Sequence, residues 1–355
     1  MGQLMPDPLP RVVSVGRAHP QRAYTQQDLI DLFRCDDPRI TRFFTSSHIQ
    51  QRYLVLPDPE LDGSVPEENG TELLDKHLRV SLEIGSDAIH RCLDNTSFDP
   101  DQIDYLATVT STGFLCPGLS AYLAEEMGMR RNIHRADIVG MGCNAGMNGL
   151  FATAQYAASN TGSPALLLSS EICSAAYVFD MTVRTGVVNS LFGDASAAAL
   201  VLADENLGAD HGPGFVDWET LVLHEARDEM RFFFEEGKFS FYLGWEIPYL
   251  IGDNIRTPVF ALLERNGLKR RDIAHWIVHS GGKKVVDAIR YNIGLSEHDV
   301  RHTRSVLRGY GNISSASILF SLDELAQEGV AREGDLGVII AMGPGVTIET
   351  GLLRW

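Results

Sequence analysis

The chain has 355 residues, 44% of them hydrophobic and 22% charged, enough for two or three domains with sizeable cores and too apolar for a disordered or collagen-like polymer. Its longest apolar stretches, such as Ala197 to Ala203, fall far short of the ~20 residues a membrane-spanning helix needs. Forty-seven Asp and Glu against 30 Lys and Arg leave a formal charge of −17, which repels nucleic acid and anionic membranes and obliges any anionic ligand to meet a local basic patch. The first residues, Met1 to Asp7, carry neither an export signal nor a myristoylation signal. The five cysteines (Cys35, Cys92, Cys116, Cys143, Cys173) are odd in number and contain no C-x-x-C, so neither a disulfide framework nor a zinc ribbon is expected. A cytoplasmic protein is the expectation.

In chain order, Tyr105 to Thr110 reads as a strand, Gly118 to Met127 as a helix, Asn144 to Ser159 as a helix, and Ala165 to Ser169 and Ala197 to Ala203 as strands. An Asp-, Gly- and Pro-rich break runs over 204–246 and places a domain junction near 204, dividing the chain into halves 1–203 and 204–355. Beyond it, Ile247 to Asn266 reads as a helix, Trp276 to Val278 as a strand, Lys283 to Asn292 and Ile313 to Glu328 as helices, and Leu336 to Ala341 as a strand. Apolar runs alternating with helix-period segments predict an α/β protein with buried sheets. In each half a turn of small residues brings one polar residue to a helix start: Gly142-Cys143-Asn144-Ala145-Gly146 and Gly311-Asn312-Ile313-Ser314-Ser315. Two such turns could face each other across a pseudo-twofold axis.

A free cysteine is ordinarily a buried, inert thiol. Cys143 differs by following the Ala136–Val139 apolar run and opening a helix, where the helix dipole and backbone N–H groups favour a thiolate nucleophile. The same stretch, Gly140-x-Gly142-x-x-Ala145, also fits a dinucleotide fingerprint, but the acidic residue expected about 20 positions on is not cleanly present, Glu171 lying too far along. His279 leaves a strand into Ser280-Gly281-Gly282, a good place for a base, and lacks the Glu of an H-E-x-x-H zinc helix. Asn312 alone reads first as a helix cap. Cys, His and Asn together supply a nucleophile, an imidazole and a donor for a developing enolate, which is what acyl transfer with carbon–carbon bond formation requires. No G-x-S-x-G occurs, which disfavours serine hydrolysis.

Gly142-Cys143, Leu191-Phe192-Gly193-Asp194, His279-Ser280-Gly281-Gly282, Gly311-Asn312-x-Ser314-Ser315-Ala316 and Gly343-Pro344-Gly345 stand in the order and spacing of the type III polyketide synthases, the chalcone synthase family, which the chain resembles from about residue 10 to its end. The resemblance implies the thiolase fold, two duplicated α/β halves in a five-layered αβαβα sandwich, and usually a homodimer. It implies Cys143 as acyl carrier, with His279 and Asn312 polarising the thioester and stabilising the enolate left by decarboxylation of malonyl-CoA. Phe192 and Phe241 match its gatekeeping phenylalanines, while Ser314, Gly281, Gly282, Gly343, Pro344 and Gly345 fall in its substrate-binding motifs. Arg39 and Arg42 fall where CoA phosphates are contacted, although Ser46 replaces a third basic residue there. Cys116 falls where plant members carry a Met that reaches across the dimer, and so bears on cavity shape; burial as a small hydrophobe is its other reading. Segments such as Val188-Asn189-Ser190-Leu191 and His275-Trp276 bring the likeness closest to the bacterial branch that builds 3,5-dihydroxyphenylacetyl-CoA from four malonyl-CoA units. No cofactor beyond CoA thioesters is implied, and helper enzymes for cyclisation or release remain open. Other starters, giving a resorcinol, a pyrone or tetrahydroxynaphthalene, are the alternatives within the family; a noncatalytic thiolase-fold subunit is the alternative outside it.

Overall fold

A computed structural model describes residues 5–235 and 237–355. The N-terminal half contributes β1 (Arg11–Ala18), β2 (Ala23–Thr25), α1 (Gln26–Leu32), α2 (Pro38–Thr45), β3 (Gln51–Tyr53) and α3 (Gly70–Leu93). These lead to β4 (Tyr105–Thr110), α4 (Leu119–Glu126), β5 (His134–Val139), α5 (Ala145–Ser159), β6 (Ala165–Glu171), α6 (Val183–Asn189) and β7 (Ala195–Leu202). The C-terminal half begins with β8 (Gly214–Val222), the hairpin β9 (Met230–Glu235) and β10 (Lys238–Leu243), and α7 (Ile247–Asn254) and α8 (Arg256–Arg265). It ends with β11 (His275–Val278), α9 (Lys283–Ile293), α10 (Arg301–Tyr310), α11 (Ser317–Glu328), β12 (Leu336–Gly343) and β13 (Thr347–Arg354).

The halves repeat one sheet pattern. In the first, β1 pairs antiparallel with β7, β7 antiparallel with β6, and β6 parallel with β4, with β5 at the edge. In the second, β8 pairs antiparallel with β13, β13 antiparallel with β12, and β12 parallel with β11. The Arg11–Gly214 pairing joins the two into one nine-stranded sheet.

Period-two alternation sorts the side chains into layers. Leu106, Leu166, Leu168 and Leu200 pack outward on Val80 and Ile84 of α3 and Leu123 of α4. Ala107, Val109, Leu167 and Ala199 point inward, into a core shared with Met147 and Leu150 of α5, Ile318 and Phe320 of α11, and Ile277 and Ile339 of the second sheet. Trp276, Val278, Val338 and Ile340 turn outward again onto Ile251 of α7, Leu262 of α8 and Ile289 of α9. The order helix, sheet, helix, sheet, helix is the five-layered sandwich of the thiolase fold, with α5 and α11 covered on both sides.

The helix predicted over Ile247 to Asn266 is two. Pro258 has no N–H to give to the Asn254 carbonyl, and the rod breaks at Ile255 between α7 and α8. Both turns noted in the sequence are 3-10 turns, Gly142–Asn144 ahead of α5 and Ser314–Ala316 ahead of α11, at equivalent places in the two halves.

Candidate active site

Because α5 and α11 share the middle layer, their leading turns meet. An added Cβ at Gly146 would stand 2.3 Å from the Ser315 carbonyl oxygen, so only glycine permits the approach. Ser314, held at φ +49°, donates its Oγ hydrogen to Cys143 Sγ at 3.5 Å. The Asn312 N–H donates to the Leu191 carbonyl at 2.8 Å, and its carbonyl accepts the Gly193 N–H at 3.0 Å, stitching it to the Phe192 segment of the other half. Asn312 Oδ1 accepts the Ser314 N–H at 2.9 Å. That bond spans two residues and caps neither the 3-10 turn nor α11, whose N-cap positions are Ile313 and Ala316, but it orients the amide: the oxygen is occupied, and the NH2 group donates toward the Gly281 carbonyl at 3.5 Å and to Cys143.

His279 follows β11 and is almost fully buried. Its Nδ1 is hydrogen-bonded to Ser317 Oγ at the start of α11. Burial lowers the imidazole pKa to about 3, so the ring is neutral. Gly281 connects it to Asn312, since a Cβ there would fall 3.3 Å from His279 Nε2 while its carbonyl faces the Asn312 amide. Among the described residues no hydrogen bond joins His279 to Cys143.

Burial works against the thiolate expected at Cys143. Burial pushes the thiol up to about 12, hydrogen bonds from Ser314 and Asn312 oppose this, and the Glu171 charge adds to it. Desolvation of a wholly enclosed sulfur outweighs the favourable field of the helix start.

A narrow cavity opens over Cys143. Gly142, Ser314 and Pro344 share its wall with the sulfur; Ser111, Thr112, Cys173, Ala176 and Tyr177 contribute another stretch, and Val188, Asn189, Phe192, Phe232 and Phe241 a third. Phe192 and Phe241 meet edge to face, centroids 5.5 Å apart at 88°. His279, Asn312, Gly281, Gly282, Gly343 and Gly345 stand behind the lining rather than on it. Pro344 presses on the nucleophile turn: Gly142 has φ +63°, and a Cβ there would lie 2.1 Å from Pro344 Cδ. Gly142→Ala is therefore expected to cost on the order of 2 kcal/mol and to displace Cys143, read as a lowered Tm and an altered rate of thiol alkylation.

Three predicted residues sit elsewhere. Cys116 is exposed in the loop between β4 and α4, neither buried nor lining the cavity of its own chain. Arg39 and Arg42 are exposed on α2, three residues apart, with Arg39 paired to Asp37 at 2.7 Å. They reach the cavity only indirectly, through Ile40 of α2 packing on Gly186 of α6.

Several site residues had no signal in the sequence. The Arg52 guanidinium, wholly buried, donates to the Phe192 carbonyl at 2.6 Å and to Gln26 Oε1 at 3.0 Å, fixing the Phe192 segment. Ser317 was simply a residue inside a predicted helix. Glu171, noted only as a misplaced acid, lies beneath the cavity with Oε2 accepting the Ser111 N–H at 2.9 Å and Oε1 accepting from Ser315 Oγ. Burial raises its pKa to about 7 against those hydrogen bonds. Between pH 4.5, its ordinary value, and 7 the folded chain holds a proton the unfolded chain has lost, so this group makes stability fall as pH rises through that window. Glu171→Gln is expected to remove that slope, so its Tm gains on the wild type from pH 4.5 to 7.

Comparison with known proteins agrees with this arrangement over the whole chain. Residues 7–205 match the N-terminal domain of chalcone and stilbene synthases, and residues 207–355 match their C-terminal domain. The 3,5-dihydroxyphenylacetyl-CoA synthase of Streptomyces toyocaensis is 46% identical, covering 100% of this chain and 92% of that protein. The enzyme of the same name from Amycolatopsis orientalis is also 46% identical, over 97% of this chain and 93% of its own. Among solved structures, PKS-I of the brown alga Ectocarpus siliculosus superposes with a TM-score of 0.92 at 27% identity, covering 99% of both chains. The 1,3,6,8-tetrahydroxynaphthalene synthase of Streptomyces coelicolor A3(2), a bacterial type III polyketide synthase, gives 0.89 at 25% identity over 98% of this chain and 99% of that one. With both halves matched and a cysteine and an asparagine brought together by paired turns, the chain belongs to the chalcone and stilbene synthase family of type III polyketide synthases.

Proposed function

We propose that the protein condenses malonyl-CoA, as both starter and extender, into a four-unit polyketide that cyclises to 3,5-dihydroxyphenylacetyl-CoA. The observation that carries the reading is a cavity lined by Cys143 and Ser314 with the Asn312 amide behind its wall and hydrogen-bonded to Cys143, together with 46% identity to synthases of that name over nearly the full chain.

In this reading Cys143 Sγ attacks the malonyl thioester, forming the acyl–cysteine bond and releasing CoA. His279 takes the thiol proton, and the Ser317 hydroxyl serves either tautomer: it accepts from Nδ1–H when Nε2 must act as base, and donates to Nδ1 when Nε2–H must act as donor. Loss of carbon dioxide from a second malonyl-CoA leaves an enolate, whose oxygen the Asn312 amide and His279 Nε2–H stabilise. Attack of that carbanion on the acyl–cysteine forms the new carbon–carbon bond and frees the sulfur, with the lengthened chain on CoA. Nothing in these steps draws on a cofactor beyond the CoA thioesters.

Arg39 and Arg42, on a common face of α2, are the cations we assign to the CoA phosphates; Arg39 must exchange Asp37 for phosphate to act. A homodimer and a cytoplasmic setting accompany this reading: Cys116 is exposed where a partner would take it up, the cysteines are free, and among the described residues no helix is long and apolar enough to cross a membrane.

Incubation of the purified protein with malonyl-CoA alone, followed by mass spectrometry, tests the proposal. Dihydroxyphenylacetyl-CoA and free CoA are expected. CoA release only when a fatty or aromatic acyl-CoA is added would overturn the starter assignment, and none under any condition would overturn the synthase.

A further inference from the structure

One buried imidazole has no part in the chemistry above. His77, on the inner face of α3, is fully buried, and burial lowers its pKa to about 4, leaving a neutral ring with one N–H. Its Nδ1 lies 3.3 Å from Thr112 Oγ1, and its Nε2 has no hydrogen-bond partner among the described residues. The slot is built for the ring, since a Cβ at residue 113, a glycine, would come within 2.2 Å of it. Thr112 itself lines the cavity over Cys143.

A hydroxyl carries one proton and two lone pairs. One lone pair of Thr112 Oγ1 accepts the Ile172 N–H at 2.9 Å. With the ring proton on Nδ1, His77 occupies the other, and the threonine proton is left over. Among the described residues Thr110 Oγ1, 3.4 Å away, is a long and weak acceptor for that proton, which a carbonyl oxygen in the cavity that Thr112 lines can draw off at a shorter distance. With the ring proton on Nε2, a buried N–H would be orphaned and Nδ1 would consume the threonine proton. A bare lone pair is the lesser loss. A poly-β-keto chain offers carbonyl oxygens, acceptors that need such a donor.

We propose that His77 is a positioning residue that holds the Thr112 hydroxyl as a hydrogen-bond donor to one carbonyl oxygen of the polyketide chain, selecting the carbonyl that enters ring closure. This rests on the synthase reading.

The test compares wild type, His77→Leu, Thr112→Val, the double variant and His77→Asn, whose amide NH2 can stand where Nδ1–H stands. With malonyl-CoA, the ratio of aromatic product to lactone shunt products per CoA released is expected to fall about fivefold in His77→Leu and Thr112→Val, the worth of one hydrogen bond, with no further fall in the double variant. His77→Asn is expected to restore the wild-type ratio. A role in folding alone would lower yield at constant ratio, and that result, or an His77→Asn ratio as disturbed as that of His77→Leu, overturns the proposal. Should His77→Leu not fold, nitrogen-15 NMR of histidine-labelled wild type decides: the imidazole signal lost in His77→Asn must be Nδ1-protonated, and an Nε2-protonated ring overturns the assignment. Wild type that releases no CoA from malonyl-CoA would sink the synthase reading, whereas the tautomer result stands apart from it.

Discussion

Replacing Cys143 with alanine is expected to lower product formation from malonyl-CoA by about 10³-fold or more, because no other group in the cavity can carry the acyl chain. Cys173 also lies on the lining, but among the described residues it has no counterpart to the Ser314 and Asn312 hydrogen bonds that favour the Cys143 thiolate, and Asp194 and Glu171 beside it oppose the negative charge. Decarboxylation should outlive condensation in this variant, since Asn312 and His279 keep their hydrogen bonds to Ser314 and Ser317. Acetyl-CoA and carbon dioxide are then expected without aromatic product. Carbon-14 dioxide release measured beside product mass separates the two half-reactions, and undiminished product would remove Cys143 from the nucleophile's role.

His279→Ala is expected to impair both loading and decarboxylation, each by about 10²- to 10³-fold, because the base for a thiol pushed up to about 12 and one of two enolate donors vanish together. The thiol must be deprotonated on demand, so iodoacetamide alkylation of the variant should rise steadily with pH through the alkaline range. The same substitution has a consequence for stability. His279 titrates at about 3 in the folded chain against an ordinary 6.5, so between these values the unfolded state binds a proton that the folded state refuses. Wild-type stability from this group is complete above pH 6.5 and is lost as the pH falls towards 3. His279→Ala should therefore lose less Tm on acidification than the wild type, a result that loss of packing alone would not give.

The parts of the fold legible in the sequence were those where one face of an element is uniformly apolar. Tyr105 to Thr110 and Leu336 to Ala341 were recognisable because β-strands covered on both faces are apolar at every position. The 24-residue α3, the longest helix described, went unread. Its buried face includes Lys76, His77 and Ser81 among Val80, Ile84 and Ala88, and polar residues at buried positions erase the periodicity that marks an amphipathic helix. Two of them find polar partners from elsewhere in the chain: Lys76 pairs with Glu68, and His77 meets Thr112 of the cavity wall. The hairpin β9–β10 was visible only as an acidic-aromatic stretch, since Phe232 and Phe241 face the cavity while Phe234 is exposed.

The site divides along the same line. Cys143 and Asn312 were legible because each sits on a short glycine-flanked turn whose geometry local sequence dictates, and the matching turns foretold the pairing of α5 with α11. Arg52, Ser317, Glu171 and His77 were not, because nothing adjacent in the chain distinguishes them; their partners Phe192, His279, Ser315 and Thr112 lie 140, 38, 144 and 35 residues away. The sequence by itself determined the two glycine-flanked turns that carry Cys143 and Asn312 and the α/β layering, all set by local turn chemistry and apolar pattern. Only the tertiary structure decided how far burial opposes the Cys143 thiolate, that the Asn312 amide oxygen is taken up by the Ser314 N–H, and that Cys116 faces outward, since desolvation and hydrogen-bond occupancy depend on which distant segments close around a group.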